Sequence, residues 1–129
     1  MNPVFKPENY NSVSPYFIVK DAKAFIHFLQ ELFGGEEMRR YTNADGSIMH
    51  AEVKIDDSII MTGEASDDFS PTSFWIHVYV PDAVSAFTKA ISLDCEKVEA
   101  PIQKEGDPDI RGTFRDPWGN FWAVGTQLK

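Results

Sequence analysis

The amino-acid sequence predicts an α+β protein built from two copies of one β-α-β-β-β unit. Two observations point there first. Val19-Lys20-Asp21-Ala22 and Val80-Pro81-Asp82-Ala83 each follow an apolar stretch and open a helical pattern, so the second half of the chain echoes the first in the same order. Behind each pattern come three strand-like segments separated by turn signals. The copies are placed at residues 12–63 and 73–127 of a single 129-residue domain, joined by the acidic, proline-containing stretch Glu64–Thr72.

Each element has a local reason. Asp21 and Asp82 are N-caps, because a carboxylate at that position accepts from unpaired amides of the first turn. After Asp21, apolar residues at Ala22, Phe25, Ile26, Leu29, Leu32 and Phe33 mark one helical face, and Gly34-Gly35 ends the helix. Ala83, Ala86, Phe87, Ala90 and Ile91 supply the shorter second stripe. Strands are predicted at Glu36–Thr42, Ser47–Ile55 and Ser58–Gly63, with Asp45-Gly46 and Asp56-Asp57 as turns. Their counterparts are Cys95–Gln103, Ile110–Asp116 and Asn120–Thr126, the last turn being Asp116-Pro117-Trp118-Gly119.

Composition narrows the partners. Hydrophobic residues make up 43% of the chain and charged residues 25%, the balance of an ordinary globular domain. No apolar run approaches the ~18 residues of a membrane span. The stretch Met1–Asn11 has neither an apolar signal core nor an Arg-rich transit pattern, and reads as a short arm packed across a partner chain. A lone cysteine, Cys95, fits a reducing cytoplasm, and its neighbours Asp94 and Glu96 disfavour a reactive thiolate. The formal net charge of −8 repels nucleic acid. It serves solubility, or attracts a cationic ligand.

Strand alternation then sorts the side chains. Phe17 and Val19, the set Ala51, Val53 and Ile55, the set Phe74, Ile76, Val78 and Val80, and Ile110, Gly112 and Phe114 pack toward the helices. The opposite face collects Ser14, Tyr16 and Ile18; His50, Glu52 and Lys54; Trp75, His77 and Tyr79; and Arg111, Thr113 and Arg115. His50 and Arg111 occupy matching positions in the two copies. Aromatics mixed with a few polar groups suit a ligand pocket, and Tyr16, His50, Glu52, Trp75, His77, Tyr79, Arg111 and Phe121 are the candidate contacts. His50 and Glu52 are the candidate acid/base pair. His27 falls on the polar face of its helix and reads as solvated.

Two segments carry a family resemblance. His50-Ala51-Glu52-Val53-Lys54-Ile55-Asp56-Asp57-Ser58-Ile59-Ile60-Met61 and Arg115-Asp116-Pro117-Trp118-Gly119-Asn120-Phe121-Trp122-Ala123-Val124, inside the duplicated layout from Ser14 to Gln127, resemble the PhnB-like branch of the vicinal oxygen chelate superfamily, the glyoxalase and bleomycin-resistance group. The resemblance implies a curled mixed sheet with helices on its convex side and a cavity in the concavity. It also implies a homodimer.

Metal-dependent members of this group take one ligand near the start of each module's first strand and another in each module's last strand. Counting back from the capping aspartates lands on Ser14 and Trp75, and the last-strand register lands on Met61 and Ala123. These residues are poor ligands for Zn, Ni, Mn or Fe, so no metal and no cofactor is expected. A register difference of two brings in His77 for Trp75, with His50 and Glu52 completing a non-standard site.

Beside a dimeric sensor or scaffold with no turnover, two further functions of different kinds stand side by side. One is a metal-free dimeric protein binding an antibiotic or metabolite, for which Trp75, Trp118, Trp122, Tyr16 and Phe121 offer stacking, although Trp122 alternates toward the core and Arg111 and Arg115 oppose a cation. The other is a lyase, isomerase or dioxygenase using the non-standard metal site. Whether the chain is an enzyme is left open.

Overall fold

Two four-stranded mixed sheets, each carrying one helix, realise the repeat in the computed structural model, which describes residues 4–128. The first unit runs β1 (Tyr16–Val19), α1 (Ala22–Phe33), β2 (Glu36–Thr42), β3 (Ile48–Ile55) and β4 (Ser58–Glu64). The second runs β5 (Trp75–Tyr79), α2 (Ala83–Ser92), β6 (Glu96–Ile102), β7 (Asp109–Arg115) and β8 (Phe121–Gln127). The units divide between Pro71 and Thr72. Their strand orders are β1-β4-β3-β2 and β5-β8-β7-β6, the same topology twice. Within each, the first strand pairs parallel to the last and the remaining pairs are antiparallel. Met1–Pro3, the start of the expected arm, lie outside the described residues.

Both predicted N-caps form. Asp21 accepts from Ala24 N at 3.2 Å and Asp82 from Ser85 N at 3.1 Å. A second carboxylate reaches α1 from the sheet: Glu64, at the end of β4, accepts from Asp21 N at 2.7 Å and Ala22 N at 3.0 Å. In the other unit Thr126 Oγ1 accepts from Ala83 N at 2.8 Å and donates to Val80 O at 2.7 Å. Each last strand therefore closes the amino end of the helix that crosses over its sheet. At the far end of α1, Gly34 adopts φ +65°, and Gly34 and Gly35 donate to the carbonyls of Gln30 and Leu29.

The core of unit 1 lies between α1 and the sheet. Ala22, Phe25, Ile26, Phe28, Leu29 and Leu32 are buried on the helix, with Phe17, Val19, Ala51, Val53 and Ile60 buried on the strands. Phe33 is only half-buried, and Phe28 takes a core position the stripe had not included. The helix α2 is less covered: Ala83, Phe87 and Ala90 are buried, whereas Ile91, expected in the stripe, is exposed. Gly112 lets α2 approach β7, since a Cβ there would lie 3.2 Å from the Phe87 ring and 2.9 Å from Pro101.

Strict alternation along β3 breaks at one point. Its pairing with β2 shifts register between Tyr41 and Thr42, which puts Ile48, fully buried, out of phase with His50.

The turn Asp116-Pro117-Trp118-Gly119 is tied from inside. The buried Asp116 carboxylate accepts from Trp118 N at 2.9 Å, Asn120 N at 2.8 Å, Asn120 Nδ2 at 3.0 Å and Trp122 Nε1 at 2.8 Å. Asn120 Oδ1 then accepts from Phe74 N at 3.0 Å, fastening the entry of β5 to the β7–β8 turn. These residues of the family-like ending are structural. Asp116→Ala leaves three buried donors without an acceptor, at about 1–3 kcal/mol each. It should lower unfolding stability by at least about 3 kcal/mol in a urea titration, whereas Glu64→Ala, at a partly exposed cap, should cost about 1 kcal/mol.

Candidate functional site

Each unit turns one sheet face to its helix and leaves the other available. On the free face of unit 1, β1 presents Tyr16 and β3 presents His50 and Glu52. The Tyr16 hydroxyl lies 2.9 Å from His50 Nδ1, and His50 Nε2 lies 2.8 Å from Glu52 Oε2. Glu52, with its side chain only 5% exposed, is also reached through Oε1, which accepts from the Tyr10 hydroxyl at 2.5 Å and faces Arg39 Nε at 3.6 Å. Burial pushes its pKa upward, but hydrogen bonds from His50 and Tyr10 and the charge of Arg39 outweigh this and hold it below the usual carboxylate range. An ionised carboxylate only accepts, so His50 carries its proton on Nε2 and its Nδ1 accepts from the Tyr16 hydroxyl. Burial and the Glu52 charge raise the Tyr16 pKa, and burial with the bond to Glu52 pushes Tyr10 to about 12. Both stay phenols at neutral pH.

Tyr10 belongs to the segment before β1, which lies across its own unit's sheet. Asn11 Oδ1 accepts from Ile59 N at 3.0 Å, and the Arg39 guanidinium sits 5.3 Å from the Tyr10 ring centre. Asn9, Tyr10 and Asn11 line a pocket of about 250 Å³ with Lys54 and Asp57.

On the free face of unit 2, Trp75 stacks on Phe121 with ring centres 4.5 Å apart and planes 10° from parallel. The Arg115 guanidinium lies 5.8 Å from the Phe121 ring centre. Beside this stack, Arg111 is held by three partners: Nη1 meets His77 Nε2 at 2.6 Å, Nη2 donates to Asp109 Oδ2 at 2.6 Å, and Nε donates to Asp107 Oδ2 at 3.0 Å. The Tyr79 hydroxyl donates to Asp109 Oδ2 at 2.6 Å. A guanidinium has only donors, so His77 Nε2 is the acceptor and its proton sits on Nδ1, the opposite tautomer to His50. Burial and the Arg111 charge depress the His77 pKa.

Strand register makes the two arrangements equivalent. Tyr16 stands opposite Met61 and His77 opposite Ala123, so Tyr16 and His77 match, as do His50 and Arg111. Each contact lies beside a glycine of the last strand. A Cβ on Gly63 would fall 3.3 Å from the Tyr16 hydroxyl and 2.6 Å from Met49 O, and one on Gly125 would fall 2.9 Å from His77 Nε2.

The ligand positions implied by the family resemblance fall on weak or absent donors. The first-strand residues opposite Met61 and Ala123 are Tyr16 and His77, two residues on from Ser14 and Trp75, so the alternative register is the one the strands adopt. The resulting pairs still do not fit a hard divalent ion. Ala123 has no donor, Met61 offers a soft thioether, and the His77 lone pair faces a guanidinium. No group of three or more His, Cys, Asp or Glu side chains converges as a metal site among the described residues.

Tyr16, His50 and Glu52 come together in unit 1, and Trp75 with Phe121, and His77 with Tyr79 and Arg111, in unit 2. Trp122 is fully buried. Cys95 is buried too, and burial followed by the charges of Asp116 and Asp94 pushes its thiol to about 12. Sequence reasoning missed Tyr10, Arg39, Asp107, Asp109 and the two glycines. Only Gly63 and Gly125, at matching places in the repeat, left a readable signal.

The sequence profile of the Glyoxalase/Bleomycin resistance protein/Dioxygenase superfamily matches residues 11–124. An uncharacterized protein of Mycobacterium bovis is 26% identical over 92% of this chain and 84% of its own length. Among solved structures, TioX from Micromonospora superposes with a TM-score of 0.71 at 20% identity, covering 90% of this chain and 96% of that one. The PhnB protein from Bacillus cereus gives 0.69 at 14% identity, with 90% and 99% covered. TnmS3, an antibiotic binding protein from Streptomyces, gives 0.68 at 13% identity, with 92% and 99% covered. At such identities these structures share the fold.

Because Arg111 helps hold the His77 pKa down, Arg111→Met should raise it toward the ordinary value near 6.5, read from ring resonances in an NMR titration. The unfolded chain takes the His77 proton at a higher pH than the folded one, so in the wild type this residue costs stability as pH falls below about 6.5. The variant should lose less over that interval.

Proposed function

We propose, from the premise that this chain belongs to the Glyoxalase/Bleomycin resistance protein/Dioxygenase superfamily, that it is a metal-free, dimeric binding protein for a planar small molecule, an antibiotic or a metabolite. The observation that carries this reading is the Trp75–Phe121 stack, whose outer ring is 70% exposed. An exposed indole already held flat by a parallel phenyl is preorganised for a further ring, and little side-chain freedom is lost on binding. The phenyl in turn sits beside the Arg115 guanidinium.

Charge is mixed on this face: Arg115 beside the stack opposes a cation, while the surroundings of Arg111 favour a cationic or polar ligand. Arg111 would oppose a cation if it stood alone, but Asp107 and Asp109 both engage it, so this group carries net negative charge. In unit 1 the same preference comes from Tyr16. Its proton is directed at His50, which leaves the hydroxyl oxygen to accept from a ligand donor. The name of TnmS3 describes an antibiotic binder on the same fold, which is consistent with this use. The donor sets give no footing to the metal-dependent alternative.

The test is a titration of untagged protein with planar cationic and planar polar aromatic antibiotics, bleomycin among them, followed by tryptophan fluorescence and thermal stabilisation. One class should quench and stabilise, and Trp75→Ala should weaken its binding about tenfold, or roughly 1.4 kcal/mol. Size measurement by light scattering should give twice the monomer mass. Binding unchanged in Trp75→Ala, or no binding by any member of the panel, contradicts the reading.

A further inference from the structure

Binding alone does not account for the ordered chain of hydrogen bonds on unit 1. We propose that Tyr16, His50 and Glu52 form a proton relay, whose exposed end at Tyr16 gives this face general-base activity toward a ligand bearing an acidic C–H or O–H group. The relay is assembled entirely within unit 1. It therefore goes beyond the stacking reading and does not depend on Trp75.

The geometry gives each group one role. Tyr16 is 39% exposed as a residue, and its hydroxyl lies 2.9 Å from His50 Nδ1. His50 Nε2–H points to Glu52 Oε2 at 2.8 Å. When a ligand C–H or O–H meets the Tyr16 oxygen, its proton transfers there while the Tyr16 proton passes to Nδ1. The ligand keeps the electron pair of the broken bond, and His50 becomes an imidazolium lying against the Glu52 carboxylate. Solvent later takes the proton and restores the relay. No oxidant, reductant or second substrate is needed. Holding a carboxylate against the far nitrogen of an imidazole is the arrangement that fixes the tautomer and stabilises the imidazolium in acid–base catalysis generally.

Tyr10 is a positioning residue in this scheme. Glu52 is faced by Tyr10 from the arm, Tyr16 from β1, Arg39 from β2 and His50 from its own strand. Of these, Tyr10 and Arg39 share Oε1. Occupying Oε1 leaves Oε2 for His50 and keeps the carboxylate ionised, as its lowered pKa reflects. Gly63 leaves room for the Tyr16 hydroxyl where a side chain would press on it.

The probe is 5-nitrobenzisoxazole. Removal of its ring C–H breaks the N–O bond, forms a nitrile and releases a coloured phenolate, with the electron pair of the C–H bond passing into the new π bond. Wild-type protein should accelerate this elimination above buffer. Tyr16→Phe and His50→Asn should each lower the rate by about 10² while keeping the wild-type melting curve. Tyr10→Phe should raise the Glu52 pKa, read from its side-chain carboxyl carbon resonance in an NMR titration, because Glu52 loses a bond that favours its ionised form. Nitrogen NMR of the wild type should place the His50 proton on Nε2. A Tyr16→Phe variant as fast as wild type, a wild type no faster than buffer, or a His50 protonated on Nδ1 overturns the proposal. Trp75→Ala, which removes the stacking surface but no relay group, separates this result from the fate of the binding reading.

Discussion

Everything on the two free faces depends on the parallel pairing of the first strand of each unit with its last. A parallel pair cannot be closed by a tight turn, so the chain must cross over, and here a helix makes the crossing. That helix needs an apolar floor, which commits one face of the sheet to Phe17, Val19, Ala51 and Val53 in unit 1 and to Phe114, Trp122 and Val124 in unit 2. The other face is thereby released for polar and aromatic side chains. The same pairing sets which residues meet. It puts Tyr16 beside Met61, His77 beside Ala123 and Trp75 beside Phe121.

Duplication explains why two unlike groups of residues look alike in space. First-strand and third-strand side chains meet beside a glycine of the last strand in both units, as Tyr16 with His50 and as His77 with Arg111. In one unit the histidine is backed by a carboxylate and presents a hydroxyl outward. In the other it is turned over by a guanidinium that two aspartates hold. The repeat supplies the geometry and the residue types decide the chemistry, in line with the general independence of fold and function. Both histidines are already satisfied by protein partners, which leaves neither one poised as a metal ligand.

Much of this was legible in the sequence because it is local. N-caps at Asp21 and Asp82, the glycine stop after α1 and the turn at Asp116 each follow from one or two residues, and the strands lie within a residue or so of where turn signals put them. Face assignment also succeeded where alternation is regular. What escaped is long-range. The two-residue displacement from Ser14 and Trp75 to Tyr16 and His77 arises from interstrand register, which no count from a capping residue can supply. A register irregularity beside Ile48 upset the alternation there. Tyr10 reaches Glu52 from 42 residues away, and Asp107 lies before the strand that carries Arg111. Neither has a periodic pattern to betray it.

The central claim is that these histidines are engaged by tyrosine, glutamate and arginine, and not by a metal. A calorimetric titration of untagged protein with Zn, Ni, Mn and Co tests it most directly, with the His50 and His77 ring resonances followed alongside. The account predicts no stoichiometric binding tighter than about a micromolar, roughly −8 kcal/mol, and ring resonances that stay in place. Tighter one-to-one binding that shifts either histidine would contradict it.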